Sequence, residues 1–312
     1  MCFLRFVWFL FYMLLVVCPN LAIDRILQVS NLKPGLVQRS KQAIVQPGGK
    51  GSNVARVFRQ LGGDVVLLGF TGSRNGHLVT EPLQRLGIHV DTISAYEETR
   101  TCTIVCDASP DSHPTVINEE SPEIEPRAEA LFLKKVERWV SKSDGVLTTG
   151  SLSMGLSSDL YARILDQARS RGKMTAIDAT GAALRIGLNA RPTFMKPNTD
   201  EMREFLAGSA LSMLPAHTAL TFGKAGAVVI HEGRCLYALP PRIFTANPIG
   251  AGDAFAAGYL KSLLERRPVA DCMRLALAAA ACDASSLRPG FIEPSQVMSL
   301  QKEVAPRFTS SC

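Results

Sequence analysis

The chain has 312 residues, 46% of them hydrophobic and 20% charged, which suits one large globular α/β domain or a domain with a small appendage. The formal net charge is +6 and the lysines and arginines are scattered rather than gathered into a run, so nucleic-acid binding has no specific support, while a small anionic substrate suits the charge equally well. The eight cysteines form no CxxC pair and have no histidines at zinc-ligand spacing, which argues against a zinc site; in a chain this long they imply no disulfide framework, and a reducing cytoplasm is the expected compartment.

In chain order, Met1 to Val17 is almost wholly apolar, broken only by Arg5, and by itself resembles a signal-peptide core or a short membrane anchor. Leu14 to Val17 also runs straight into Cys18-Pro-Asn-Leu-Ala-Ile-Asp24, as an innermost parallel strand does when it delivers a polar residue to a site at its carboxyl end. Residues 1–13 are therefore expected to be an extension, an anchor or a misassigned start, with membrane contact only if that extension is real, and residues 14–312 to be the folded domain. Arg25 to Gln46 alternates weakly around Lys33-Pro34-Gly35, predicting a short antiparallel pair standing off the main sheet.

From Asn53 the apolar residues recur at helical spacing, Gly62-Gly63 ends that helix, and Val65 to Gly69 predicts a buried strand. A second β excursion covers about Thr99 to Asn118 with its turn at Pro110 to Pro114; its Cys102 and Cys106 fall on one face and read as small apolar strand residues. Beyond it, helices near Pro126–Lys142 and Ser158–Arg171 alternate with strands at Gly145–Thr149 and Met174–Asp178, as a doubly wound sheet requires. A strand at Thr193–Asn198, a close pair at Ala219–Gly223 and Ala227–His231, and a helical last third with Ala-rich Leu275–Ala284 complete the pattern.

The densest chemistry is in Asn247-Pro-Ile-Gly-Ala-Gly-Asp253, which stands directly before a helix carrying Phe255, Tyr259, Leu260, Leu263 and Leu264 on one face. Backbone N–H groups at a helix N-terminus, unobstructed by side chains, form a ready site for a phosphoryl group. An aspartate in that first turn can accept a proton from an attacking hydroxyl and align its oxygen. GxGD alone is also compatible with an ordinary capped helix. A second glycine-rich loop, Gln46-Pro-Gly-Gly-Lys-Gly-Ser-Asn-Val-Ala-Arg56, also opens a helix, and two such loops suggest two ligands, with Asn53 able to donate and accept at once.

Together these two segments resemble the signature regions of the ribokinase-like, pfkB-type carbohydrate kinases, and the resemblance runs nearly end to end. Cys18-Pro-Asn-Leu-Ala-Ile-Asp-Arg25 resembles the family's Asn-Pro-Ala-Ile-Asp-Arg, with Leu21 where proline is usual; Asp24 would then bind substrate hydroxyls. Lys196-Pro-Asn-Thr-Asp-Glu201 resembles the Asn-x-x-Glu motif, which implies Asn198 and Glu201 near magnesium, and Thr221-Phe-Gly223 resembles a strand end that touches the nucleotide. The branch acting on hexose phosphates, typified by 1-phosphofructokinase and tagatose-6-phosphate kinase, is similar at Leu32-Lys-Pro-Gly35 with Arg39, Pro47-Gly-Gly-Lys-Gly51, Thr99-Arg-Thr101 and Ile117-Asn-Glu119. By that resemblance Arg39 and Arg100, joined by Lys50, face the substrate's own phosphate.

The resemblance implies an α/β fold, a three-layer α/β/α sandwich with a mainly parallel central sheet and a small β-sheet lid built from about 25–46 and 97–119. It implies Asp253 as catalytic base with Gly250, Ala251 and Gly252 beside it. Substrate would lie on Asp24, Arg39, Gly48, Gly49, Lys50, Asn53, Arg100 and Ser151, the last being equally an ordinary β-to-α turn. ATP would lie on Lys196, Asn198, Thr221, Gly223, Gly250 and Gly252. Mg2+ with ATP as co-substrate, a sugar phosphate as acceptor, no nucleic acid, and a homodimer through the lid complete the expectation. The acceptor expected is fructose 1-phosphate, with fructose 6-phosphate, tagatose 6-phosphate, an unphosphorylated sugar or nucleoside, and a sugar-binding pseudokinase as alternatives.

Overall fold

β1 (Met13–Asn20) runs through the middle of the molecule, paired in parallel with a strand on each side. Leu14, Val16 and Cys18 face one helical layer and Leu15 and Val17 the other, so its place in the sheet demands a continuous apolar run. The computed structural model describes residues 12–107, 113–206 and 214–309; residues 1–11 and the first part of the expected turn at 110–114 lie outside them.

After β1 the chain leaves the main sheet for the antiparallel pair β2 (Ala22–Val29) and β3 (Gln42–Gly48). It returns through α1 (Lys50–Gln60) to β4 (Asp64–Gly72), parallel to β1. Then come α2 (His77–Arg85), β5 (His89–Val90) and β6 (Ile93–Tyr96), followed by β7 (Thr101–Asp107) and β8 (Thr115–Asn118). β7 lies parallel to β2 and antiparallel to β8, which makes a separate four-stranded sheet in the order β3-β2-β7-β8. Ile26, Ile104 and Cys106 form its inner apolar face, packed on Ile249 and Leu287 of the main body.

Helix and strand then alternate: α3 (Pro126–Val140), β9 (Gly145–Thr149), α4 (Leu160–Ser170), β10 (Met174–Asp178), α5 (Gly181–Gly187), β11 (Phe194–Met195), α6 (Thr199–Leu206) and β12 (His217–Thr221). β13 (Ala227–His231) and β14 (Arg234–Ala238) fold back as antiparallel neighbours, and α7 (Ala251–Leu264), α8 (Val269–Ala284), α9 (Pro294–Gln301) and β15 (Arg307–Thr309) end the described chain. The main sheet has the order β15-β14-β13-β12-β11-β10-β9-β1-β4-β5, with β6 also on β4. It is parallel from β12 to β5 and antiparallel only at the β13–β15 edge.

One face of the sheet carries a core under α1, α7, α8 and α9; the other carries one under α3 and α4 and a further one around α4 and α5. The architecture is a three-layer α/β/α sandwich with a mainly parallel central sheet and a small second sheet. Three features differ from the sequence pattern. α1 begins at Lys50 rather than Asn53, which puts Lys50 in a helical first turn. α2, α5, α6, β5, β6, β14 and β15 were not anticipated, being too short for a sustained period to stand out. Cys18, Cys102, Cys106, Cys272 and Cys282 are free and buried, but Cys235 on β14 is disulfide-bonded, a pairing the sequence pattern did not suggest. Among the described residues no helix is long and apolar enough to cross a membrane.

Candidate active site

Parallel strands in an open α/β sheet deliver their polar residues to the crevice beyond their carboxyl ends, and here β1, β9, β10, β11 and β12 all end on one edge. Asn20 closes β1, Gly150 and Ser151 follow β9, Asp178 closes β10, Lys196 follows β11 and Thr221 closes β12. The N-termini of α1 and α7 point into the same region, and the four-stranded sheet brings Asp24 over it.

Asp253 stands in the first turn of α7, buried, and accepts a 2.8 Å hydrogen bond on Oδ2 from Asn53 Nδ2 in the first turn of α1. Asn53 is aimed in turn by Arg56, one helical turn on, which donates to Asn53 Oδ1 and to the carbonyls of Pro47 (2.7 Å) and Pro289 (2.8 Å). Burial pushes the Asp253 carboxyl up to about 6, with Asp178 adding to the effect and Lys50, the Asn53 hydrogen bond and Lys196 opposing it. Gly250 caps α7 at φ 92°, a left-handed conformation open to glycine at little cost.

A second group surrounds Asp178, which is wholly buried. Lys50 Nζ lies 3.1 Å from its Oδ1 and 3.5 Å from Glu201 Oε1, and Lys196 Nζ lies 3.5 Å from the same Asp178 oxygen. Burial alone would raise Asp178, but the two lysines outweigh it and hold the carboxyl below the usual range. For Lys50, burial works against the charge; Asp178, Asp253 and Glu201 more than offset it and keep the ammonium above its ordinary value, although a third of the side chain remains accessible. A side chain at Gly252 would meet Lys196, its Cβ falling 3.5 Å from Nζ. Lys50 therefore lies with Asp178 and Glu201 rather than with Arg39 and Arg100, because the helix starting at residue 50 directs it there.

The third group lies under the small sheet. Asp24 is on β2, not at the end of the first strand as the sequence suggested; Asn20 holds that position. Asp24 is buried against Gly48, where any Cβ would collide with its carboxyl, so glycine there is a steric requirement. Burial pushes Asp24 up to about 7, with Arg56 and Arg100 opposing and Asp253 reinforcing. Asn20 Nδ2 donates to Ser151 Oγ at 2.9 Å, and Arg100 reaches the Asn20 and Glu119 carbonyls at 3.4 and 3.3 Å. Arg100 Nε, Asn20 Oδ1 and Asp178 Oδ2 are buried with no hydrogen-bond partner among the described residues. Three orphaned polar atoms along one crevice are what a site built for a polar ligand leaves when protein alone fills it. Arg39 is exposed in the loop between β2 and β3.

At the β11 and β12 ends, Asn198 and Glu201 bond each other reciprocally: Asn198 N–H donates to Glu201 Oε2 and Glu201 N–H to Asn198 Oδ1, both at 2.8 Å. That is a capping box on α6, so Asn198 is turned toward its own helix. Thr221 bridges to Asn198 in parallel, and Gly223 follows at φ 57°.

A family model for pfkB family carbohydrate kinases matches residues 13–295. The chain belongs to that family. Among solved structures, a possible 1-phosphofructokinase from Thermotoga maritima superposes with TM-score 0.84 at 20% identity, covering 96% of this chain and all of the other. Phosphofructokinase-2 from Escherichia coli in complex with fructose-6-phosphate gives 0.81 at 19%, covering 94% and 99%, and a carbohydrate kinase from Agrobacterium tumefaciens gives 0.74 at 21%, covering 96% and 100%. These likenesses establish the ribokinase-like fold. A pfkB carbohydrate kinase is a sugar kinase, and ATP is its co-substrate.

Three residues of this kinase's crevice escaped the sequence reading. Asp178 had a signal, a lone carboxylate closing an apolar strand. Arg56 had one too, since it shares a face with Ser52 and Asn53 on a helix whose other buried positions are apolar. Asn20 was hidden inside the segment credited to Asp24. No three Asp, Glu, His or Cys side chains converge on a metal cage among the described residues. The free Asp178 Oδ2 is a hard donor that would fit magnesium, which is bound by one or two carboxylates together with substrate phosphates.

Proposed function

We propose that this kinase transfers the γ-phosphoryl group of ATP to a primary hydroxyl of a ketohexose phosphate, O6 of fructose 1-phosphate, giving fructose 1,6-bisphosphate. The observation that carries the choice of a phosphorylated sugar is Arg100, whose buried Nε has no partner beside Asn20 and Asp24. A guanidinium held unsatisfied there matches a substrate phosphate, and Arg39 on the neighbouring loop adds a second cation.

In this reading Asp24 and Asn53 orient the sugar hydroxyls, with the Gly48 and Gly49 backbone and Ser151 closing round them. Asp253 aligns the attacking hydroxyl and takes its proton onto a carboxylate oxygen as the oxygen–phosphorus bond forms. The N–H groups of Gly250, Ala251 and Gly252 meet the transferring phosphoryl group, whose charge the α7 N-terminus and Lys196 offset. Thr221 and Gly223 border the nucleotide. Asp178 and Glu201 would hold magnesium, which supplies charge neutralisation on the ATP phosphates. The four-stranded sheet acts as a lid that excludes water, and the enzyme works as a cytoplasmic homodimer paired through it.

The test is magnesium-dependent ADP release by purified protein across fructose 1-phosphate, fructose 6-phosphate, tagatose 6-phosphate, fructose and ribose. The expected result is turnover highest with fructose 1-phosphate and a fall of about 10²–10⁴-fold in Asp253→Asn with sugar binding retained. Preference for an unphosphorylated sugar would overturn the assigned acceptor, and binding without turnover would make the protein a sensor.

A further inference from the structure

Lys50 and Lys196 share one oxygen of Asp178, yet the fold holds them differently. Lys196 follows β11, is only 5% accessible, and lies against the first turn of α7, where a Cβ at Gly252 would fall 3.5 Å from its Nζ. Its place is fixed by packing. Lys50 opens α1 between glycines, with Gly48 and Gly49 before it and Gly51 after it, and a third of its side chain is accessible. A lysine on a flexible four-carbon stem can turn from one partner to another without any change of backbone.

The oxygens that Lys50 holds are those a divalent cation needs. Its Nζ lies 3.1 Å from Asp178 Oδ1 and 3.5 Å from Glu201 Oε1, so a single cation can touch carboxylates from both β10 and α6. Each carboxylate also has an anchor of its own: Asp178 has Lys196 at 3.5 Å, and Glu201 Oε2 accepts the Asn198 N–H at 2.8 Å. Withdrawal of Lys50 therefore releases Glu201 Oε1 without loosening either side chain. Asp178 Oδ2 already has no hydrogen-bond partner among the described residues. One hard oxygen on each of two carboxylates is the donor set suited to a magnesium ion that completes its shell with water and phosphate oxygens.

We propose that Lys50 is the exchangeable counter-ion of the metal site: it neutralises Asp178 and Glu201, yields their oxygens to a divalent cation, and then turns to a phosphate in the crevice. This rests on the assignment of magnesium to Asp178 and Glu201 made above. An ammonium and a divalent ion repel at such separations, so the two do not share these oxygens. Lys50 and Asn53 stand in the same turn of α1, and Asn53 donates to Asp253, so the released ammonium stays beside the proposed base, where the phosphoryl group is transferred. Metal alone must compete with a tethered ammonium and binds weakly. Metal that arrives with a nucleotide brings the phosphate that receives Lys50, so the two reinforce each other.

The experiment titrates manganese alone, as the probe for magnesium, into the full chain and reads free manganese by electron paramagnetic resonance. Lys50→Met and the milder Lys50→Gln should each bind it about tenfold or more tightly than the wild type, because a competing positive charge has left the site. Lys50→Arg should stay near the wild type, and Lys50→Met combined with Glu201→Gln should lose the gain. All should keep the wild-type circular dichroism spectrum, since Asp178 retains Lys196 and residue 201 retains the Asn198 N–H. Equal affinity in the wild type and both neutral variants, no manganese binding by those variants, or a gain that survives Glu201→Gln would each overturn the proposal. The titration contains neither sugar nor ATP, so it fails separately from the proposed function. Sugar-dependent ADP release with manganese affinity indifferent to Lys50 would remove the exchange and leave the kinase reading; the manganese pattern without turnover would do the reverse.

Discussion

Asp24 and Asp253 are buried carboxylates with raised pKa values of about 7 and about 6, and the sign of that shift has a consequence for stability. A raised carboxyl in the folded state binds its proton more tightly than the unfolded chain does, so its contribution is fully present below pH 4 and is lost as pH rises through 6 to 7. Asp24→Asn removes the charge from a site that penalises it. That variant should melt higher than the wild type at pH 8, with a smaller difference at pH 5, while losing sugar affinity; a melting temperature that falls at both pH values would contradict the burial argument. If Asp253 is the proposed base it must be ionised to accept a proton, so turnover should decline as pH falls below about 6, read from the pH profile of kcat/KM.

Two helices show how element geometry sets the site. Asn198 and Glu201 close a capping box on α6 while Glu201 also faces Lys50, so one side chain has a structural and an electrostatic task. Glu201→Gln keeps the cap and removes the charge; Glu201→Ala removes both. Thermal melts should separate them, with Gln near the wild type and Ala lower by about 1 kcal/mol, whereas both should impair turnover. Helix α7 is positioned from behind by α8, which it approaches so closely that a Cβ at Gly258 would come within 2.9 Å of the Leu275 carbonyl and 3.0 Å of Ala276 Cα. Gly258→Val should cost about 1–3 kcal/mol in denaturant titration and lower kcat as well, because pushing α7 away moves Asp253 and the turn proposed to bind the phosphoryl group with it.

At the scale of the whole molecule, the small sheet contacts the body through Ile26, Ile104 and Cys106 and turns a second face outward. Across that face Val45, Arg25, Thr103 and Ile117 are in register, with Val45 52% and Ile117 62% exposed. Pairing of two such faces would bury these residues and hold both small sheets, the proposed lids, in place. Light scattering after size exclusion should report a dimer, and Ile117→Lys a shift to monomer with a raised KM for sugar; a wild-type monomer at all concentrations would remove the lid from the assembly.

The central alternation of strands and helices, the two β excursions and both glycine-rich helix starts were legible because each is written in local pattern: apolar period, turn residues, glycines before a helical face. The family resemblance added the residues that flank those starts. What the tertiary structure alone decided is pairing at a distance. That Lys50 turns to Asp178 and Glu201, that Arg56 reaches through Asn53 to Asp253, and that Asn20 stands where Asp24 was expected all depend on which strand ends are neighbours. Neighbouring ends belong to segments more than a hundred residues apart in some cases, and no local period records them.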